Sequence, residues 1–257
     1  MNKSEYQKLY ELETTYWWHV GRRHILKTLV RKFVLPPVEL GNTEIRNLKI
    51  LDVGCGTGEN IKFLSQFGDV TGVDISKRAI EFCKKRGLGN VQLGRAENLP
   101  FEDNSLELVT MLDLLEHIKD DLPALKEARR VLKPGRTLLV TVPSYQFLWS
   151  DHDEALGHKR RYSKKELVRK VRGIGFKIQK LSFAVTTLFP SILTWRIFQK
   201  LFIKSTVPKT SYVILPDQLN KFFINLLRFE AWALKRVDLP FGTSLICVAK
   251  KVDSRKY

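Results

Sequence analysis

The sequence predicts an α/β domain built on a mostly parallel β-sheet, and two observations support this prediction. From residue 48 onward, short apolar runs that are typical of buried strands alternate with segments of helical periodicity. The first run stops at a cluster of glycines, as a strand does where it enters a turn. Because repeated strand–helix units return the chain in one direction, they require a parallel sheet with helices on both faces.

The predicted elements follow one another in a regular order. Strands are expected at residues 49–53, 70–74, 91–93, 106–111, 137–142, 176–183 and 244–250. Helices are expected at residues 57–67, 77–86, 122–132 and 163–171. The last of these helices should begin with a capping box formed by Ser163 and Glu166.

The length of the chain indicates one α/β domain with additions. Its 257 residues, 44% of them hydrophobic, suffice for such a domain and an insertion. About 60 residues separate the last two predicted strands, too many for a plain loop, so they should hold structure of their own. We predict four parts, which are an N-terminal helical cap at 1–45, a core at 46–183, a helical insertion or lid at 184–240, and a final strand with a basic tail at 241–257.

Cysteine content and charge indicate the cellular compartment of the protein and the kind of partner that it binds. The N-terminus lacks the apolar segment of a signal peptide, and Cys55, Cys83 and Cys247 are too far apart for a metal site or a disulfide framework. We therefore expect a cytoplasmic protein with reduced thiols. The net charge is +17, of which residues 1–150 contribute +3 and residues 151–257 contribute +14. Such a basic surface favours the phosphates of anionic lipid or of nucleic acid, although a soluble protein can also simply be basic.

A glycine-rich turn after the first strand carries the strongest functional signal. Gly54, Gly56 and Gly58 follow Asp52 between a strand and a helix, where a ligand approaches the backbone so closely that side chains would collide. In a dinucleotide-binding loop the third glycine comes three residues after the second, but here it comes two residues later and Glu59 fills the next position. An acidic residue there opposes a pyrophosphate, but it does not oppose a cationic nucleoside that carries an amino acid.

A second acidic residue supports a nucleoside ligand. Asp74 ends the second strand, 22 residues after Asp52, where a carboxylate can bind both hydroxyls of a ribose. An Asp at a strand end is often only a helix cap, but the glycine loop upstream makes the ribose site the better interpretation.

Four motifs together resemble those of the class I methyltransferases that use S-adenosylmethionine (SAM), specifically the type-11 group. They are residues 52–58, 72–74, 96–101 and 131–135. The resemblance covers roughly residues 45–183 and the last strand. It implies a Rossmann-like, seven-stranded class I methyltransferase sheet whose last strand is antiparallel, with SAM as the cofactor and methyl transfer as the activity.

The resemblance also implies which residues contact SAM. The glycines and the amide of Cys55 would line the methionine part, Asp74 would hold the ribose, and Ile75 would pack on the adenine. Ala96 and Glu97 would lie at the amino edge of the adenine. The complete predicted cofactor set is Arg23, Asp52, Gly54, Cys55, Gly56, Gly58, Asp74, Ile75, Ala96, Glu97 and Leu112.

The N-terminal segment supplies the arginine of this set. Trp17, Trp18, Arg22 and Arg23 resemble the aromatic-rich entry segment of the ubiquinone-biosynthesis O-methyltransferases, in which an arginine binds the SAM carboxylate. The sequence does not decide between the two arginines, and Arg23 is the one included above. The tryptophans are expected to pack rather than to contact ligand.

Residues 111–118 follow the fourth strand, at the edge where open α/β sheets bind ligands. They are similar to the same stretch of the ubiquinone O-methyltransferases and of small-RNA 3′-end methyltransferases, where an acidic-x-x-Glu-His pattern can hold a divalent cation. Asp113, Glu116 and His117 occupy those positions, but Asp113 replaces the usual Glu and reaches less far. A divalent metal therefore stays open here without being predicted. His117 is predicted as a general base beside Glu116, and a structural role is the alternative.

A polar cluster at residues 151–153 and 157–162 follows the fifth strand and therefore lies at the same edge. Its histidines, basic residues and tyrosine suit a polar or anionic group of the substrate, with His158 and Arg161 as the expected contacts. We include His158 among the predicted catalytic residues. The alternative is a solvated loop whose charges cap the next helix.

The sequence of the insertion indicates which class of molecule accepts the methyl group. Residues 181–195 carry no charge but are too few to span a bilayer. Two segments with helical periodicity follow, and their apolar residues include Ile192, Trp195, Phe198, Phe202, Phe222, Phe223, Leu226 and Leu227. The basic residues between those of the first segment are Arg196, Lys200 and Lys204. Apolar helix faces fringed by basic residues suit a membrane interface, and a lid packed against the domain would explain them equally well.

Two kinds of methyl transfer are disfavoured because the sequence lacks their motifs. The Asn/Asp-Pro-Pro-aromatic tetrapeptide of base N-methylation does not occur at residues 112–115, and no cysteine is placed for cytosine C5 methylation. We therefore predict O-methylation of a small or lipid-linked hydrophobic acceptor by a protein peripheral to the inner face of a membrane. The alternative is an RNA methyltransferase that uses the basic C-terminal face. The sequence does not predict the oligomeric state.

Overall fold

The computed structural model describes residues 3–35, 48–202, 210 and 212–252, and a seven-stranded sheet lies at its centre. The strands are β1 (Leu48–Val53), β2 (Gly68–Asp74), β3 (Val91–Leu93), β4 (Leu106–Leu112), β5 (Leu132–Pro143), β6 (Phe176–Ala184) and β7 (Ser244–Lys251). Their order is β3-β2-β1-β4-β5-β7-β6. Strands β1 to β5 pair in parallel, and β7 runs antiparallel between β5 and β6. The predicted α/β class and the antiparallel last strand are confirmed.

Nine α-helices accompany the sheet in the described part of the chain. They are α1 (Lys3–Leu12), α2 (Trp17–Leu29), α3 (Glu59–Leu64), α4 (Lys77–Lys85), α5 (Leu122–Val131), α6 (Asp151–Leu156), α7 (Lys164–Gly173), α8 (Phe189–Phe202) and α9 (Asp217–Ala233). A π-helical turn at Val30–Val34 extends α2, and short 3-10 turns follow β4 at Leu115–His117 and β5 at Gln146–Leu148. In the part of the chain seen here, no helix has the length and apolar character needed to cross a membrane.

Two helices differ from the sequence prediction. Helix α3 begins two residues later than predicted because Gly58, in the left-handed conformation with φ 91°, immediately precedes its first turn, and it ends three residues earlier, at Leu64. Helix α6 forms where no helix is predicted, and it begins with a capping box between Ser150 and Asp153. At α7 the Ser163 hydroxyl accepts a hydrogen bond from the Glu166 amide at 3.1 Å, as expected for a cap.

Two hydrophobic cores lie on opposite faces of the sheet. Alternate residues of β1 enter them, Leu51 into the first core and Ile50 into the second, because side chains of a strand alternate between faces. Helices α5 and α7 close the first core, whereas α2 and α9 close the second. Helices α3 and α4 of the core segment also line the second core, so the additions cover that face together with them.

Helices α2 and α9 form one layer over the second core. Gly21 permits their close approach, since a Cβ at this position would lie 2.4 Å from Cδ1 of Leu227. At the start of α9, Asn220 accepts a hydrogen bond from the Trp17 amide at 2.8 Å and donates one to the Thr15 carbonyl at 2.9 Å. Residues 36–45 of the predicted cap, 203–209 and 211 of the insertion, and 253–257 of the tail lie outside the described residues.

Candidate active site

The glycine loop joins β1 to α3 at the carboxyl edge of the sheet. Its glycines have φ angles of 74° (Gly54), 57° (Gly56) and 91° (Gly58), which side-chain-bearing residues rarely adopt. Two of them are also closely packed, since a Cβ would lie 2.7 Å from Cδ1 of Leu114 at Gly54 and 2.5 Å from Cδ1 of Leu88 at Gly58. The backbone itself therefore forms the surface of this loop.

Asp74 is held across the mouth of the loop at the end of β2. Its Oδ2 accepts a hydrogen bond from the Gly56 amide at 3.0 Å, and its Oδ1 accepts one from the Ser76 amide at 2.8 Å. Each carboxylate oxygen keeps a further lone pair that a ligand hydroxyl could use. The next residue, Ile75, is 62% exposed, which is unusual for isoleucine and leaves an apolar surface beside the carboxylate.

Asp52 lies beneath the loop as a buried carboxylate. Thr110 donates a hydrogen bond to its Oδ1 at 2.6 Å, whereas Oδ2 has no hydrogen-bond partner among the described residues. Burial raises the pKa of Asp52 to about 7. A buried oxygen without a partner needs a donor, so this atom indicates a place where a ligand would complete the site.

The other predicted cofactor residues lie at the same edge. Ala96 is buried in the turn after β3, and the neighbouring Glu97 forms an ion pair with Arg95 at 3.1 Å. Leu112, the last residue of β4, is buried in the second core. The structure thus brings together the ends of β1, β2, β3 and β4 that carry the predicted set.

Helix α1 and the turn after it cover this edge. Leu9 lies 3.8 Å from the position a Cβ would take on Gly56, and the Thr57 hydroxyl donates a hydrogen bond to Glu13. Arg86 at the end of α4 donates to the Thr57 carbonyl at 2.7 Å and forms an ion pair with Glu13 at 3.0 Å. The N-terminal residues therefore form a wall beside the glycine loop.

The two arginines of α2 point to different places. Arg23 donates a hydrogen bond to the Glu13 carbonyl at 2.6 Å. Arg22 forms an ion pair with Asp113, lies over the ring of Trp18 at 4.9 Å, and interacts electrostatically with Asp52 and Glu116. Burial lowers the pKa of Arg22 to about 10, so it stays charged near neutral pH. The geometry favours Arg22 over the predicted Arg23 as the arginine of the site.

Glu116, His117 and His158 form a second cluster at the carboxyl edge. One carboxylate oxygen of Glu116 and one ring nitrogen of each histidine lie within 4.8 Å of one another. Both oxygens of Glu116 are buried without a hydrogen-bond partner among the described residues, and burial raises its pKa to about 8. Burial also lowers the pKa of His117 to about 3, so its ring is neutral at physiological pH. This cluster unites the three residues predicted to act in catalysis.

Asp113 does not join this cluster, in contrast to the metal set considered from the sequence. It has a φ angle of 54°, and its Oδ1 accepts a hydrogen bond from the Thr141 hydroxyl at 3.0 Å, while Oδ2 faces Arg22. The side chain is thereby directed toward α2 rather than toward Glu116 and His117. His158 occupies the third position instead, which the sequence spacing could not show.

Asp153 belongs to the polar cluster predicted at residues 151–153, but the sequence did not indicate a role for it. It is completely buried in α6 and binds His158 Nδ1 at 2.9 Å. Arg161, expected to contact the substrate, instead donates to both oxygens of Asp153, at 2.8 Å from Nε and 2.9 Å from Nη2. Burial opposes ionisation, but the hydrogen bonds from His158 and Arg161 hold the pKa of Asp153 well below its usual range. The spacing of Ser150 and Asp153, a capping-box pattern, was the available sequence signal.

Residues 51–140 match the family model described as a methyltransferase domain. Demethylmenaquinone methyltransferase of Staphylococcus haemolyticus is 38% identical over 140 residues, which cover 51% of this chain and 53% of that protein. An uncharacterized 37.1 kDa protein in a transposon of Streptomyces fradiae is 34% identical over 160 residues, 57% of this chain and 46% of that protein. The chain thus spans about half the length of the curated relatives it matches.

Solved structures show the same fold. A SAM-dependent methyltransferase of Thermotoga maritima, described as a possible histamine N-methyltransferase, has a TM-score of 0.58 and 21% identity, with 96% of this chain and 95% of that chain covered. A SAM-dependent methyltransferase of Archaeoglobus fulgidus has a TM-score of 0.58 and 18% identity, with 93% and 97% covered. At such identities the similarity supports the architecture alone.

Proposed function

We propose that this chain, which carries a class I SAM-dependent methyltransferase domain of the type-11 group, transfers the methyl group of SAM to a hydrophobic acceptor at a membrane surface. One observation carries the proposal. The glycine loop with Asp74 and the cluster of Glu116, His117 and His158 lie at one edge of the sheet, and helices with exposed apolar faces stand beside them. Cofactor, acceptor and membrane would thus meet on the same side of the domain.

The cofactor would bind along the glycine loop. In this proposal Gly54 and Gly56 contact the methionine part, and Asp74 accepts hydrogen bonds from the ribose. The predicted Cys55 amide already donates a hydrogen bond to the Val73 carbonyl at 3.1 Å. The unpartnered oxygen of Asp52 suits the ammonium group of SAM, because a buried carboxylate gains most from a charged donor. Arg22 would release Asp113 to bind the SAM carboxylate, for which a guanidinium has two matched donors. The adenine would lie between Ile75 and the turn with Ala96 and Glu97.

Transfer to an oxygen requires that one proton leave the acceptor. His158 suits the role of general base better than His117, because a base with a pKa near 3 accepts a proton poorly at neutral pH. Glu116, whose pKa is about 8, would be protonated near neutral pH and could donate a hydrogen bond to the acceptor. Aligning the acceptor with the sulfonium methyl would supply much of the rate.

The same three side chains offer the nitrogen and oxygen donors that divalent cations take. A bound cation would polarise the acceptor oxygen and make its proton easier to remove. Activity that disappears on chelation and returns with a divalent ion would assign this role, and activity that survives chelation would leave His158 as the base.

The acceptor is proposed to be lipid-linked because of the outer face of α8. Trp195, Phe198 and Phe202 are 47%, 46% and 71% exposed, and their rings contact one another. This exposure supports a membrane interface for these three residues over the core of a lid, the alternative that the sequence left open. Arg196, on the same helix, instead turns inward and donates a hydrogen bond to Ser150 at the start of α6. This contact links α8 to the helix that carries Asp153.

Helix α9 divides its apolar residues between two sides. Leu227 is buried and Phe223 packs against Trp17, whereas Phe222, Phe229 and Trp232 are exposed. Exposed basic residues accompany this outer side, namely Lys221, Arg228, Lys235 and Arg236. Of the basic residues predicted on α8, the side chain of Lys200 and all of Lys204 lie outside the described residues. An apolar face with such a fringe suits the interface of an anionic membrane.

Several relatives are named demethylmenaquinone methyltransferase, which supports a quinone-related acceptor. We propose a polyprenyl-linked phenol, quinone precursor or sugar as the acceptor class. RNA is the competing acceptor, which the basic charge of residues 151–257 would suit.

The test uses the full chain with methyl-labelled SAM. It compares anionic vesicles that contain a prenylated phenol, the same phenol in neutral vesicles, and RNA. We expect labelling of the phenol that is strongest in anionic vesicles, and reduced co-sedimentation with those vesicles for Trp195, Phe198 and Phe202 changed together to Ser. Leu122→Ser, an exposed apolar residue on the opposite face of the sheet, is the control. Labelling of RNA without vesicles, or equal and negligible vesicle binding by wild type and variant, would overturn the membrane proposal.

A further inference from the structure

A buried hydrogen-bond network around Asp153 contacts His158 of the cluster at the carboxyl edge of the sheet. Asp153 is completely buried and receives hydrogen bonds from five donor atoms, which are His158 Nδ1, two nitrogens of Arg161, the Ser150 amide nitrogen and the Ser150 hydroxyl. The first three partners are within 2.9 Å. The Ser150 contacts alone suffice to cap this helix of six residues, so the hydrogen bonds from His158 and Arg161 are not needed for the cap.

The network determines which ring nitrogen of His158 carries a proton. Arg161 can only donate, and it occupies both carboxylate oxygens, so Asp153 presents acceptors to its remaining neighbours. The contact of 2.9 Å between Asp153 Oδ1 and His158 Nδ1 is therefore a hydrogen bond that the ring donates. In a neutral imidazole the lone pair then belongs to Nε2, which is the nitrogen left to face the cluster.

Two further contacts fix the orientation of the ring. The Lys159 amide donates a hydrogen bond to the Glu116 carbonyl at 2.7 Å, which joins the loop of His158 to the turn after β4. The rings of His117 and His158 meet nearly at right angles with their centres 4.7 Å apart. The imidazole is thus held on one side by a carboxylate and on another by a second ring.

We propose that Asp153 is a positioning residue that holds His158 in the Nδ1–H tautomer and directs its Nε2 lone pair at the reacting oxygen. Arg161 serves the same purpose indirectly, because its two hydrogen bonds keep the carboxylate in place. The tautomer is a property of the folded chain, whereas its use in removing the acceptor proton rests on the function proposed above.

The experiment observes the tautomer directly. Long-range 1H–15N NMR of protein labelled at histidine nitrogen distinguishes the two tautomers, and the spectrum of His158→Gln identifies the signals of His158 among the five histidines. We expect the Nδ1–H form in wild type and its loss or mixture with the other form in Asp153→Asn. Methyl transfer by that variant should fall at least tenfold in kcat with little change in the Kd for SAM. Glu154→Gln, which neutralises the adjacent residue of α6, should change neither property.

The outcomes separate the two proposals. An Nε2–H tautomer in wild type, or an unchanged tautomer in folded Asp153→Asn, overturns the positioning role even if methyl transfer is observed. If wild type shows the Nδ1–H form but no acceptor is methylated, the positioning stands and the proposed function fails. If the Asn variant does not fold, the wild-type spectrum alone still decides the tautomer.

Discussion

The cofactor side and the acceptor side of the carboxyl edge are built in different ways. On the cofactor side, the backbone forms the surface through glycines with positive φ, and Asp74 is fixed by amides at positions 56 and 76. On the acceptor side, side chains from distant parts of the chain create the site, as in the contact of His117 with His158. The first arrangement suits an invariant ligand, and the second can change its specificity while the sheet stays the same.

Because of this difference, we expect a substitution on one side to leave the function of the other side intact. The largest effect on methyl transfer should come from a substitution on the acceptor side. His158→Ala should lower single-turnover methyl transfer by about 10²- to 10⁴-fold, the range expected for loss of general base catalysis. His117→Ala should have a smaller effect, because burial keeps its ring from accepting a proton near neutral pH. The Kd for SAM, measured by titration calorimetry, should hardly change in either variant.

A parallel loss of SAM affinity in His158→Ala would contradict the separation of the two sides. A larger loss of turnover in His117→Ala than in His158→Ala would contradict the assignment of the base. Thermal unfolding of each variant provides the control for folding.

The second-largest effect is expected on the cofactor side, where a substitution should lower SAM affinity more than turnover. Asp74→Ala should weaken SAM binding by about 1.5–3 kcal/mol, because the hydrogen bonds to a charged carboxylate are lost. Turnover at saturating SAM should be reduced less than affinity. Glu81→Ala, which removes an exposed carboxylate from the neighbouring α4, should bind SAM normally. The absence of SAM binding to folded wild-type protein would refute the cofactor assignment itself.

The same contrast explains what the sequence could predict. The strands and the loop at residues 52–58 could be predicted because they follow from local sequence patterns. Apolar runs and glycines determine the conformation of residues only a few positions away. The acceptor side depends on contacts between distant residues, such as α6 with α8 through Ser150 and Arg196. Local patterns assigned Arg161 to the substrate because its charge is visible in sequence, whereas its burial against Asp153 is not. The direction of Asp113 likewise follows from its pairing with Thr141, 28 residues away.

The insertion shows an intermediate case. Helical periodicity correctly predicted helices in both segments, but it does not show which apolar residues of α9 face the domain. In the structure Phe223 contacts Trp17 while Phe222 is exposed, because α2 covers only part of the apolar surface of α9. A partner helix from the other end of the chain therefore decides which apolar residues are left for another surface.

The smallest expected effect concerns the charges around that surface. Lys221 on α9 and Lys235 just after it are exposed, and each basic residue near an anionic leaflet contributes about 1 kcal/mol to attachment. Changing either one to Gln should therefore weaken binding to anionic vesicles by about fivefold, and changing both should weaken it roughly multiplicatively. The wild-type affinity should fall as salt rises, because the attraction is screened over about 8–10 Å at physiological ionic strength.

Lys126→Gln, on α5 at the opposite face of the sheet, is the matched control and should bind as wild type does. Equal weakening by the control variant would mean that net charge alone attracts the protein to the vesicle. In that case the outer faces of α8 and α9 would not be the attachment surface, and the acceptor side would lose its proposed connection to the membrane.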